Sequence, residues 1–176
     1  RYPSMFSRVI EQASFIGYAL PGIAVALALV YFGVNFARPL YQTIWLLVFS
    51  YLVLFFPAAL MATRSSLLKI NPSLEDAARS LGQARLQTML TITFPLMRSG
   101  MFMGTALVFL ISMKELPATL ILGPLGFNTL ATAVWSASSE AFFAQAAVAS
   151  LLLVAASAAM LALLVLPIVI VAASEA

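Results

Sequence analysis

The chain has 176 residues, of which 63% are hydrophobic and 9% charged, against about 25% charged in an ordinary soluble domain. So much apolar surface cannot be hidden in a soluble fold of this length, and lipid must solvate much of it. The absence of cysteine and histidine, with a formal net charge of +3, excludes a disulfide framework, thiolate metal sites and histidine acid–base catalysis.

Six scattered carboxylates argue against a carboxylate-only metal site. No metal, cofactor or catalytic residue is expected. The basic balance reads as the charge asymmetry of a membrane protein and not as a nucleic-acid surface. The expected fold class is all-α, a polytopic transmembrane helical bundle.

A hydrocarbon core about 30 Å thick needs about 20 apolar residues as helix. The chain does not begin with methionine, and Arg8 and Glu11 interrupt any apolar run at its start. That is no signal-peptide pattern, so a fragment of a longer chain with further spans upstream is expected. The first uncharged run covers residues 17–37, with Pro21 and Gly22 in its first turn, where a missing N–H costs least. The second covers residues 41–63, and Pro57 within it predicts a kink. Arg38-Pro39 leaves so short a connection that the two spans should form an antiparallel hairpin.

The composition then changes. Residues 64–99 hold Arg64, Lys69, Glu75, Asp76, Arg79, Arg85 and Arg98, with too many apolar residues for a disordered linker. Asn71-Pro72 reads as a helix N-cap followed by proline at the first helical position. Glu75 and Asp76 complement the dipole at that start. Gly82 interrupts the helix, a second short helical stretch follows, and Pro95 ends it. Two short helices joined at a glycine are expected.

A third span is expected from near Gly100 to about Ile111, or to Leu122 (residues 100–122) if Lys114, Glu115 and Pro117 are tolerated within it, with Gly100 and Gly104 spaced for close helix contact. Residues 123–140, rich in Gly, Ser, Thr and Asn, read as a loop with short ordered pieces. A fourth span lies near residues 143–170, tilted or kinked near Pro167. Its Ala and Ser content from Ala144 to Ala159 suits helix–helix contact. Met101, Met103 and Met113 read as packing residues and not metal ligands. If residues 64–99 are cytoplasmic, both ends of the segment are too. Arg1, Arg8, Arg64, Lys69, Arg79, Arg85 and Arg98, seven of the nine basic residues, then lie inside, as the positive-inside rule requires.

Within the polar segment, Asp76-Ala77-Ala78 is followed by Gly82 and then by Ile92-Thr93-Phe94-Pro95. This resembles the EAA loop of ABC importer permeases of type I: Glu-Ala-Ala, three residues, Gly, nine residues, Ile, one residue, Leu-Pro. Asp76 stands where the family has Glu, with Glu75 beside it, and Phe94 stands where it has Leu. Ala77, Ala78, Gly82, Ile92 and Pro95 match at the family spacing. The resemblance implies that residues 64–99 form the cytoplasmic coupling loop that docks on a separate ABC ATP-binding subunit. The sequence contains no Walker-type phosphate loop of its own. A plainer alternative for this segment is an amphipathic loop lying on the bilayer.

A second stretch, Lys114-Glu115-Leu116-Pro117-Ala118-Thr119-Leu120 with Gly126-Phe127-Asn128-Thr129-Leu130-Ala131-Thr132, resembles the later part of iron(III)-type importer permeases. Those are long chains of two fused halves, and residues 15–165 look like most of the second half. Gly123 stands where many members have Arg. The resemblance implies an inner-membrane permease that works with an extracytoplasmic solute-binding protein and with the other permease half. It also implies that the chain is not itself an enzyme.

Lys114, Glu115, Pro117 and Thr119 are candidates for the translocation path or an outer gate, because ionisable groups at membrane depth usually face protein or a water-filled path. An interhelical anchor near the outer interface is the plainer account. Neighbours on a helix point about 100° apart, so Lys114 and Glu115 should each pair elsewhere. Glu115 is also the feature that a rival class, an ion-gradient-driven secondary transporter or channel, would need.

Overall fold

The computed structural model describes residues 20–174, and every regular element among them is helical. In chain order the α-helical elements are Gly22–Phe36 (α1), Ile44–Leu68 (α2), Pro72–Ser80 (α3), Arg85–Met113 (α4), Pro117–Leu122 (α5), Leu130–Ser139 (α6) and Phe143–Ser174 (α7), with one 3₁₀ turn, Arg38–Leu40, joining α1 to α2. Ile44–Lys69, Arg85–Met113 and Phe143–Leu163 are long and apolar enough to cross a membrane, while α1 is apolar but shorter. The N-terminal arm, and residues 17–19 of the first expected span, lie outside the described residues.

Two compact units share these helices. The first holds the described residues up to Pro57 together with Phe109–Ala159; the second holds Ala58–Val108 and the chain from Met160 onward. The division falls within α2 at Pro57, where the missing N–H interrupts the helix ladder.

The first unit is built on one apolar cluster. Ala26 of α1, Leu46 and Leu47 of α2, and Ala118 and Leu122 of α5 are its buried members. Ala26 and Ala118 are fully buried, and α5 packs along α1. Small side chains at those positions let the two backbones approach closely. Gly33 does the same against α2, since a Cβ there would stand 3.2 Å from Leu46 Cδ2.

α4 stops at Met113, near the shorter of the two expected ends and not at residue 122. Its last turn tightens through bonds from Lys114 N–H to the Ile111 carbonyl (3.2 Å) and Glu115 N–H to the Ser112 carbonyl (3.1 Å). Pro117, which has no N–H to continue the ladder, then restarts the chain as α5. Residues 123–140 are also more ordered than their composition predicts, because α6 occupies ten of them. Thr129 and Thr132 form a reciprocal capping box: Thr132 N–H donates to Thr129 Oγ1 (3.2 Å), and Thr129 N–H to Thr132 Oγ1 (2.8 Å). On α7, the Ser157 hydroxyl donates to the Leu153 carbonyl at 2.7 Å and its oxygen lies 3.9 Å from Met113 Sδ, while most of the small-residue stretch is exposed within this chain.

In the second unit, α3 begins as the sequence predicts. Asn71 Oδ1 accepts the Ser73 N–H at 3.1 Å, with Pro72 at the first helical position. The two-helix expectation fails beyond Gly82. The second short helix does not end at Pro95 but runs straight on as α4. A single π turn, Met89–Thr93, closes with Phe94 N–H bonded to the Met89 carbonyl, immediately before the proline. A widened turn there gives room where the Pro95 ring would otherwise meet the Thr91 carbonyl.

Candidate functional site

The elbow at Gly82 is a Schellman turn. Gly82 N–H bonds the Arg79 carbonyl (3.0 Å) and Gln83 N–H bonds the Ala78 carbonyl (3.2 Å), with Gly82 at φ +86°. That is the two-bond closure that favours glycine just beyond a helix end. It turns the chain so that α3 packs back on the first turns of α4, residues 85–93. Ala78, Thr88 and Thr93 are the buried residues of this arrangement.

One further bond ties it. Thr93 Oγ1 donates to Glu75 Oε1 at 3.0 Å. Thr93 fills the unspecified position between Ile92 and Phe94, so the motif gave no reason to single it out. Thr93→Val keeps the side-chain shape and removes the bond. It should cost about 1 kcal/mol and raise the cleavage rate at the elbow in limited proteolysis of the full chain. An unchanged melting temperature together with an unchanged cleavage rate would show that the bond holds nothing.

The remaining motif residues divide by exposure. Ala78 is turned into the chain, where its small size serves α3–α4 packing, while Asp76, Ala77, Gly82 and Pro95 are exposed and Glu75 and Ile92 are half-buried. At the tip, Leu81 is 85% exposed and Leu86 is 65% exposed. Neither stood out in the sequence; their signal was a pair of leucines flanking a glycine in an otherwise polar stretch.

Lys114, Glu115, Pro117 and Thr119 belong to the other unit. Glu115 Oε1 accepts the Ala118 N–H at 3.1 Å, one of the donors freed by the break at Pro117. The same oxygen would lie 2.9 Å from a Cβ at Gly22, so the carboxylate rests against the first turn of α1. Thr119 is buried, and its hydroxyl donates to the Glu115 carbonyl at 2.7 Å. Tyr51 of α2 then donates its O–H to Thr119 Oγ1 at 2.5 Å. Tyr51 is the member of this junction that the sequence did not reveal. Lys114 and Pro117 are exposed.

A family model described as a binding-protein-dependent transport system inner membrane component matches residues 1–174. Among curated proteins, the chain is 38% identical over 146 residues to the Fe(3+)-transport system permease protein FbpB 2 of Haemophilus influenzae, covering 83% of this chain and 29% of that protein. It is 28% identical over 141 residues to a putative 2-aminoethylphosphonate transport system permease protein, PhnV, of Salmonella typhimurium, covering 78% of this chain and 52% of that one. A shorter match, 41% over 68 residues, is to the molybdenum transport system permease protein ModB of Escherichia coli, covering 39% of this chain and 30% of ModB. The chain thus spans less than a third of the ferric relative and about half of PhnV. With the family match running almost end to end over an all-helical, span-bearing fold, the chain belongs to the binding-protein-dependent inner-membrane components, as a multi-pass permease of the ABC importer class.

Proposed function

We propose that this chain forms one half of the translocation path of an ATP-driven importer and is moved by a separate ATP-binding subunit that grips the elbow at Gly82. The observation that carries this reading is the union of elbow and span in one element. α4 is 29 residues long, about 43 Å at 1.5 Å per residue, against a hydrocarbon core of about 30 Å. Its first turns therefore project beyond the lipid core, and α3 is fastened to them. A displacement of Leu81, Asp76 and Ala77 by a partner would be carried along the same helix into the membrane. Ile92 and Pro95, around the π turn, lie where that rod yields most readily.

The partner's ATP requires the elbow to face the cytoplasm, in agreement with the charge asymmetry of residues 64–99. Solute would arrive from an extracytoplasmic binding protein, and a second permease half would complete the path. The ferric relative supports Fe(3+), or a similar small solute, as cargo. Lys114, Glu115, Pro117 and Thr119 are assigned to the path or its gate. A helix break whose carboxylate holds the restarted helix, and whose threonine is bound to Tyr51, is a junction that can rearrange as a unit.

The test is uptake into proteoliposomes holding the full-length permease with its ATPase and binding protein. Radiolabelled Fe(III) uptake should require internal ATP and the binding protein and should survive an ionophore. Uptake that ignores ATP and stops with the ionophore would establish the gradient-driven alternative instead. Uptake of molybdate or aminoethylphosphonate with no iron uptake would overturn only the cargo. In the same system Lys114→Ala and Glu115→Ala should impair uptake with assembly intact, and wild-type rates in both would remove them from the path.

A further inference from the structure

Two adjoining clefts run along the second unit. One, of ≈ 430 Å³, is lined in part by Ser66, Lys69, Asn71 and Ser99. The other, of ≈ 350 Å³, shares Ser66, Lys69 and Ser99 with it and extends to Met103 and Leu107. They make one groove between α2 and α4, and its chemistry changes along its length. At one end stand the exposed Lys69 ammonium, the Ser99 hydroxyl and the Asn71 amide, while Ser66 Oγ already donates to the Ala62 carbonyl at 3.0 Å. Asn71 already spends its carbonyl oxygen on the Ser73 N–H, so what it offers a ligand is its amide N–H groups. That end presents donors and positive charge from Lys69, Ser99 and Asn71 alone, because the first N–H groups of α3 are taken, Ser73's by Asn71 Oδ1 and Leu74's by the Asn71 carbonyl. At the other end Met103 and Leu107 present only apolar surface. Between them the floor is backbone-deep, because α2 and α4 touch at Gly100 and Gly104.

The dimensions match half a bilayer. From Ser99 to Leu107 a helix rises about 12 Å, most of one leaflet of a core about 30 Å thick. A free phosphate would leave the apolar half unused, and a purely apolar helix would leave Lys69 facing hydrocarbon. We propose that the groove holds one anionic phospholipid of the cytoplasmic leaflet, with its phosphate at Lys69, Ser99 and the Asn71 amide and an acyl chain along Met103 and Leu107. This rests on the reading that residues 64–99 face the cytoplasm. Its consequence is that lipid composition bears on the element that carries the elbow, since the lipid would bridge the ends of α2 and α3 to α4.

The experiment uses the full-length permease complex in mild detergent, with native mass spectrometry of retained phosphatidylglycerol and phosphatidylcholine. The wild type should retain the anionic lipid preferentially. Lys69→Gln should lower that preference about fivefold, Lys69→Arg should keep it, and Ser99→Glu should abolish it. Met103→Trp, which narrows the apolar end, should reduce retention of both lipids alike. Headgroup selectivity unchanged in both Lys69→Gln and Ser99→Glu would overturn the proposal, as would a photocrosslinker at Leu107 that captures only protein. The side is checked separately by Lys69→Cys in a cysteine-free background, labelled with a membrane-impermeant thiol reagent. Labelling only from the outer face would overturn the cytoplasmic placement and the inner-leaflet lipid with it. Labelling from the inner face with selectivity unchanged would overturn the lipid alone.

Discussion

Gly82→Trp should reduce ATP-coupled uptake at least about tenfold, equal to about 1.4 kcal/mol of lost coupling, while the permease still inserts and folds. Gly82 has φ +86°, and nothing stands within 4 Å of a Cβ built there. Within this chain the substitution therefore costs only backbone strain, about 1–2 kcal/mol for an ordinary residue in the left-handed region. The indole has no room to fill inside the chain and must occupy the space in front of the elbow. If an ATPase sits there, it is displaced. Gly82→Asn separates the two effects, because asparagine tolerates the left-handed region and adds little bulk. Uptake close to wild type for Asn with collapse for Trp supports docking at the elbow. Equal losses in both would assign Gly82 to turn geometry alone, and wild-type uptake for Trp would mean that no partner meets it.

Gly104→Leu should prevent the folded chain from accumulating in the membrane. A Cβ at Gly104 would lie 2.6 Å from Ala62 Cβ, and one at Gly100 would overlap the Ser66 hydroxyl. Overpacking in a tight interface costs about 1–3 kcal/mol and more where the neighbour cannot rotate away, and an alanine methyl cannot. Without a hydrophobic drive between helices in lipid, close packing of small residues is what holds α2 to α4. Gly104→Ala should lower the melting temperature of the purified complex, and adding Ala62→Gly should recover most of the loss. A wild-type melting temperature for Gly104→Leu would show that the two helices separate freely at this point.

Much of the elbow was legible in order along the chain. The N-cap at Asn71, the acidic first turn and the helix end before Gly82 all follow from local chemistry, because capping groups and a left-handed turn act within a few residues. The motif spacing located the segment that matters. Its length was misjudged at Pro95, because proline normally stops a helix and one π turn let it continue. The helix at 130–139 was missed because Thr129 and Thr132 cap it reciprocally, a pairing that composition alone does not distinguish from loop threonines.

By itself the sequence determined the solvent, the helical class, the polar segment and the family, since each depends on composition or on fixed local spacing. Only the tertiary structure decided which motif residues face outward. Ala77 stays on the surface while Ala78 turns inward, because α3 folds back on α4. It also supplied the partners that lie far apart in the chain, Thr93 with Glu75 and Tyr51 with Thr119. Such pairs depend on how helices pack, and no periodicity along one strand of sequence encodes which side chain will meet which across that contact.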